Sequence, residues 1–523
     1  MEIRSATLRK NHTPCPPEFL RRRIGSLLGN GLEWNRRFGM VSTVHLGGNQ
    51  YRRFVYNFRI MAAEQISPTG KASPSMPQAP ASGSLLRALR SRNYRLFVTG
   101  QSVSLIGFWM QRIAMSWLVY RLTDSPVALG IVDFVGQVPI LLSLYTGVLL
   151  EKWDLRKTVF VCQFLSMCQA FILAALTLTG RVQYWHVVVL SCFMGFINAF
   201  ELPARQSFVI FMVDDKQDLG NAIGLNSSIF NLARLLGPTL GGITIATVGE
   251  GICFLLNGVS YLATLVAIAL MRLTRKPIAK PDEEDGVRQS KMADFREGWR
   301  YVTTFEPIRD ILLALALLSI FGLPYLILLP VFAREILHGG PKTLGFLLTA
   351  SGVGALTGSI MIALRKTPVG LSRVVAYTLT GFGCATGAFA LSRWFPLSLP
   401  LMAFVGFAMV VTLVSCNTLV QTLVDDDKRN RVMGIYIFAL NGMGPAGSLL
   451  LGWLASIIGA PLALASGSAI CIVTGIVFWR RLPRLWTQAV PIYRAKGLLP
   501  QEDAFENAPS AGAEPASAST STT

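Results

Sequence analysis

Three charged residues stand inside stretches that are otherwise apolar: Arg112, Asp133 and Arg234. In a bilayer such charges are costly, face protein or water rather than lipid, and mark ion or substrate routes. A carboxylate there can take up and release a proton; a guanidinium can hold an anion or pair the carboxylate. Arg112 lies eight residues before Tyr120, and Asp133 lies eight residues after Ser125. At 1.5 Å per helical residue each is about 12 Å from its end of an apolar block, so antiparallel neighbours bring them to one level. The spacing predicts an Arg112–Asp133 pair, which serves either proton coupling or structure alone. Arg234, about 20 Å along its own block, must face a cavity or a carboxylate, and so either binds an anionic group or joins Asp133. Trp109, Gln111, Asn226 and Asn231 are the candidate lining beside these charges, although Asn and Gln also hold helices together.

Other chemistry is not encoded. The chain has no G-x-x-x-x-G-K-[ST], no H-E-x-x-H and no G-x-S-x-G, so no nucleotide engine, zincin or serine-hydrolase site is expected. Eight cysteines without a C-x-x-C and four scattered histidines predict neither a disulfide framework nor a metal site. We expect no catalytic residue and no cofactor.

The elements that must position the charges are long apolar blocks. The 523 residues are 52% hydrophobic and 15% charged, against about 25% charged in an ordinary soluble domain. Twelve spans are expected, near 95–120, 126–150, 158–179, 184–203, 220–248, 251–271, 309–332, 343–364, 371–392, 397–420, 431–458 and 461–480. The longest interruption separates six from six. This divides the chain into a basic, disordered extension (1–84), a first bundle (85–271), a connector (272–308), a second bundle (309–482) and a disordered tail (483–523). Residues 1–84 lack the continuous apolar run of a secretory signal, and Met61 is an alternative start.

The net charge of +19 does not point to nucleic acid, because its placement follows the spans. Residues 1–60 carry eleven Lys/Arg against Glu2, Glu18 and Glu33, and the connector adds eight more. Loops after the odd-numbered spans hold only Arg121, Arg181, Arg334, Lys342 and Arg393. Positive residues stay on the cytoplasmic side, so both termini are expected there. The two bundles also repeat. QSFVIFMVDDK (206–216) matches NTLVQTLVDDD (417–427) at an offset of 211, and Gly237-Pro238 is echoed by Gly444-Pro445. Parallel six-span repeats enclosing a central route are a transporter architecture.

Over residues 85–485 the sequence resembles the major facilitator superfamily, and within it the enterobactin-exporter-like branch of transmembrane secretion effectors. RNYRLFVTGQ (92–101), WMQRIAMSWLVYRLT (109–123), ELPARQSF (201–208), NAIGLNSSIFNLARLLGPTLGG (221–242) and NGMGPAGS (441–448) carry the resemblance. The segment from Gly147 through Glu151, Lys152, Arg156 and Lys157 is similar to the family's loop between spans 2 and 3. The resemblance implies a charge network there that closes the cytoplasmic side, although Glu151 stands for the usual Asp. Glu201 and Arg205, four apart, are expected to pair on one helix face. Gly237, Pro238, Gly241 and Gly242 resemble the span-5 motif of exporters, with Ala233 where that motif prefers Gly. By chemistry alone they predict close helix packing. Phe108-Trp109 occupies the stretch of span 1 where many members carry an acid.

Together these readings imply an all-α integral membrane protein with twelve transmembrane helices in two parallel six-helix halves. The resemblance implies a secondary active transporter in the bacterial inner membrane, a monomer that exports a siderophore, drug or metabolite by antiport with protons. Two alternatives stay open: an importer or a carrier of lipid-like substrates, and a sensor or scaffold on the same fold.

Overall fold

The computed structural model describes residues 87–150, 153–215, 218–272, 291–365, 367–425 and 428–499. The chain divides into Met1–Ser82 and Gly83–Thr523, and the described residues all belong to the second unit. The extension 1–84, the connector's 273–290 and the tail beyond 499 lie outside them.

The first half comprises α1 (Arg92–Thr123), α2 (Pro126–Gln137, carried on by the tighter turns of Val138–Leu142 and by Ser143–Leu150), α3 (Leu155–Leu178), α4 (Tyr184–Met212), α5 (Leu219–Val248) and α6 (Glu250–Leu270). The second comprises α7 (Glu306–Ile336), α8 (Pro341–Ala363), α9 (Leu371–Leu391), α10 (Phe395–Leu423), α11 (Arg431–Ile458) and α12 (Ala460–Ala495). Among the described residues, ten of these are long and apolar enough to cross a bilayer. The other two are α2, whose apolar stretch Pro126–Leu142 is shorter, and α1, which at 32 residues is long enough but carries Gln101, Gln111 and Arg112. Large apolar side chains such as Val161, Ile172, Trp185, Val189 and Trp453 stand half exposed on the outside of the bundle. A surface of that kind is stable facing lipid tails and would aggregate in water.

Local chemistry sets the helix ends. Asp124 terminates α1 at φ 47°, in the left-handed region that Asp tolerates, and Pro126 opens α2 at its first turn. Pro139 interrupts α2 because it brings no N–H. Asp154 caps α3, its Oδ1 accepting from the backbone N–H of Arg156 (3.0 Å) and Lys157 (3.2 Å).

The repeat extends to these ends. Val213 and Val424 close α4 and α10 in the same extended conformation. Gly249 (φ 86°) and Gly459 (φ 83°) turn α5 into α6 and α11 into α12 with one residue each, a conformation that favours glycine. Asp124 and His338 (φ 48°) play matching parts after α1 and α7.

Within the first half α1 packs on α5 and α6, and α3 on α4 and α6; within the second α8 packs on α10, and α9 on α10 and α12. Between halves α2 lies against α11 and α5 against α8. Both inter-half contacts are made by glycine. A Cβ at Gly130 would stand 2.7 Å from the Ser448 carbonyl oxygen, and one at Gly452 would stand 2.7 Å from that of Pro126. A Cβ at Gly242 would come 2.7 Å from the Pro341 oxygen, and one at Gly345 would come 2.9 Å from the Pro238 oxygen. Gly354 and Gly358 do the same work inside the second half, taking α10 at Ala403 and Phe407.

Three features depart from the expected spans. Helix α7 contains π-type turns at Leu318–Gly322 and Phe332–Ile336, and α11 contains one at Phe438–Gly442, just before Gly444-Pro445. The connector carries a helix, Lys291–Thr304, whose Gly298 lies against Arg431 at the start of α11. Finally, α12 runs through Pro483 and Pro491 to Ala495, beyond the expected boundary at 482. Leu485, Ala489 and Tyr493 are buried there, and Lys496 Nζ donates to the Thr422 carbonyl at 2.7 Å.

Candidate functional site

The glycine motif of α5 builds the site. Gly237 and Gly241 face α1: a Cβ at Gly237 would collide with the Cβ of Trp109, and one at Gly241 would crowd the backbone of Met110. Gly242, the next residue, faces α8 in the other half. One short segment therefore seats α1 on one side and the second half on the other. Seating Trp109 on Gly237 brings its ring under Arg234, one turn earlier on α5; the guanidinium carbon is 5.9 Å from the ring centroid. Arg112, one turn along α1, approaches the same ring at 5.6 Å. Both are within cation–π range. Phe230 meets the indole edge-on at 5.8 Å.

Asp133 completes the cluster from α2. Its Oδ1 lies 3.9 Å from Arg112 Nη2, a loose ion pair in which the arginine side chain is 46% exposed and the carboxylate 20%. A half-exposed arginine this far inside a crossing helix would be costly against lipid. Oδ2 of Asp133 accepts two hydrogen bonds, from Gln137 Nε2 at 2.5 Å and from Ser448 Oγ at 2.6 Å. Ser448 belongs to α11, so one carboxylate ties the first half to the second.

Further links between the halves cluster toward the same end, where the loops after the odd-numbered helices lie. Thr239 on α5 and Thr349 on α8 share a hydrogen bond of 2.5 Å. Arg334, at the end of α7, pairs with Asp124 at 2.6 Å and lies 5.7 Å from the ring centroid of Tyr120. The Tyr120 hydroxyl donates to Glu335.

Not every residue singled out by sequence joins this cluster. Gln111 points the other way: its Nε2 donates to Gln169 Oε1 at 2.9 Å, and its Oε1 accepts from Asn257 at 2.7 Å. All three amides are buried, so Gln111 binds α1 to α3 and α6. Asn231 Nδ2 donates to the Ser227 carbonyl of its own helix, and Asn226, half-buried, lies two turns of α5 before Arg234. At the opposite end, Arg156 Nη2 donates to the carbonyls of Ile268 (2.8 Å) and Ala269 (3.1 Å), where a cation suits the C-terminus of α6. Glu201 is buried, 3.4 Å from Arg205 and accepting from Gln163 at 2.8 Å. Gly147 lies in the last segment of α2, while Glu151 and Lys152 lie outside the described residues.

Sequence reasoning passed over Gln137, Ser448, Tyr120, Asp124 and Glu335. Ser448 stood in the quoted segment NGMGPAGS, but only its spacing from Gly444-Pro445 hinted that it would face α2.

The family model for transmembrane secretion effectors matches residues 83–499. The chain belongs to this branch of the major facilitator superfamily. Relatives of this transporter include the staphyloferrin A transporter of Staphylococcus aureus, 24% identical over 75% of this chain and 97% of that protein. The multidrug efflux pump Tap of Mycolicibacterium fortuitum is 26% identical over 70% of this chain and 90% of its own length. Among solved structures, a bacterial homologue of the human lysosomal transporter Spinster, in an inward-facing and unoccupied conformation, aligns with a TM-score of 0.56. It covers 79% of this chain and 99% of its own at 12% identity. A peptide transporter of the POT family in complex with alafosfalin gives 0.61, covering 78% and 99% at 13% identity. At such identities the likeness is one of fold alone.

Proposed function

We propose that this transporter exports a small molecule, a siderophore, drug or related metabolite, from the cytoplasm in exchange for protons entering through Asp133. The activities of its relatives, a siderophore transporter and a multidrug efflux pump, support the substrate class. The scarcity of Lys and Arg in the odd-numbered loops supports an orientation with both termini in the cytoplasm of a bacterium and the Arg334–Asp124 end outside. The working unit is a single chain.

One observation carries the reading: Asp133 is loosely paired with Arg112 in its own half and accepts a hydrogen bond from Ser448 in the other. Hydrogen bonds to an ionised carboxylate are roughly twice as strong as neutral ones. Protonation therefore alters the link between α2 and α11, which meet at the outer end. A proton taken up from outside thus changes the balance between the two access states, which is what coupling requires.

Everted vesicles carrying the transporter and a fluorescent efflux dye test this. Imposing a pH gradient should drive dye accumulation in wild type, and Asp133→Asn should abolish the gradient-driven part while leaving counterflow exchange of dye intact. Gradient-driven accumulation at the wild-type rate in Asp133→Asn would remove Asp133 from the coupling step.

A further inference from the structure

The cluster around Trp109 is short of hydrogen-bond acceptors. Two guanidiniums approach one indole, and each offers five N–H donors. The carboxylate that faces Arg112, Asp133, has committed Oδ2 to Gln137 and Ser448 and lies 3.9 Å from that guanidinium. Arg234 has no ion-pair partner and no hydrogen-bond acceptor among the described residues, and the buried Nε1 of Trp109 has no acceptor either. With Arg112 set against Asp133, the cluster carries one uncompensated positive charge, that of Arg234.

That charge sits where the halves meet. A Cβ at Gly352 of α8 would lie 3.3 Å from Leu235 Cα and 3.6 Å from the Arg234 carbonyl oxygen, so this turn of α5 rests directly on the second half. A cation held at the interface of the two moving bodies, beside an aromatic face, suits a ligand with an acidic group attached to a planar or apolar body.

We propose that Arg234, with the Trp109 ring beside it, is the seat for an anionic group (carboxylate, sulfonate or phosphate) on the transported molecule. The class of substrate is then an organic anion. This rests on the transport reading for its direction, but binding at the seat does not. Exchange of an anion leaving for a proton entering moves charge the same way in both steps, so an inside-negative potential favours export.

Two xanthene dyes of opposite charge separate the possibilities. Carboxyfluorescein is the anion and rhodamine 6G the cation, and fluorescence anisotropy with the purified full-length protein in detergent reads binding of each. Wild type should prefer carboxyfluorescein. Arg234→Gln should weaken carboxyfluorescein by about tenfold or more, as expected for loss of a charge-assisted contact, and should not weaken rhodamine 6G. Arg234→Lys, which keeps the charge, should retain most of the affinity and shows that the position tolerates change. Equal affinity for both dyes, failure of carboxyfluorescein to bind, or carboxyfluorescein binding that survives Arg234→Gln would each overturn the seat. Should the anion bind as described while vesicles fail to transport it, the export reading falls and the seat stands.

Discussion

Gly242→Ala offers the sharpest test of how the halves meet. The added Cβ would stand 2.7 Å from the Pro341 oxygen and 2.9 Å from Gly345 Cα. Both are backbone atoms, so no side chain can swing away to make room, and α5 and α8 must part. Forcing one methyl into a tight contact of this kind costs about 1–3 kcal/mol. The cost falls only on the arrangement in which α5 touches α8 at this level. The balance should therefore shift by about 5- to 150-fold toward arrangements in which that contact is released. A reporter is available at Thr349, which faces Thr239 across the same contact. In a background with all eight cysteines replaced, Thr349→Cys should react faster with a membrane-impermeant maleimide, applied from the side of the odd-numbered loops, once Gly242→Ala is added. Gly224→Ala is the control, because a Cβ there meets nothing within 4 Å. A labelling rate unchanged within about twofold, against the shift expected from the overpacking cost, would show that glycine at 242 does not set the contact. An equal increase in Gly224→Ala would point to general loosening instead.

Two further predictions follow from named contacts. Replacing Gln111 with Leu leaves Gln169 and Asn257 without their partner inside the first half. The detergent-solubilised protein should lose about 0.6–2 kcal/mol, read as a lower thermal midpoint, while the dye preference set by Arg234 is unchanged; a shift in that preference would place Gln111 in the substrate path. Arg334→Ala removes both the Asp124 pair and the contact with the Tyr120 ring. The end that carries the odd-numbered loops should then open more readily, so the Thr349→Cys reporter should again label faster, and addition of Tyr120→Phe, which removes the bond to Glu335, should increase the rate further. Unchanged labelling in the double variant would show that these groups do not restrain opening.

The amino-acid sequence determines that this chain spans a bilayer many times in two related halves. Apolar runs of about twenty residues or more, positive charge concentrated in alternate loops and the VDD ends of α4 and α10 at an offset of 211 are all local signals, legible without a fold. Depth along a helix is equally local, which is why Arg112 and Asp133 could be placed at one level and are found 3.9 Å apart. Direction around a helix is another matter. In water an amphipathic stripe reveals which face is buried, but in lipid the outward face is as apolar as the packed one. Gln111 and Arg112 are adjacent in sequence, yet one is buried among helices of its own half and the other stands half exposed beside Asp133. Tertiary structure alone decided that difference. It also decided that Ser448, 315 residues from Asp133, would bond to it, and that Gly237 would set Trp109 beneath Arg234. Such meetings depend on how whole helices cross, and small residues permit a close crossing without dictating which partner fills it.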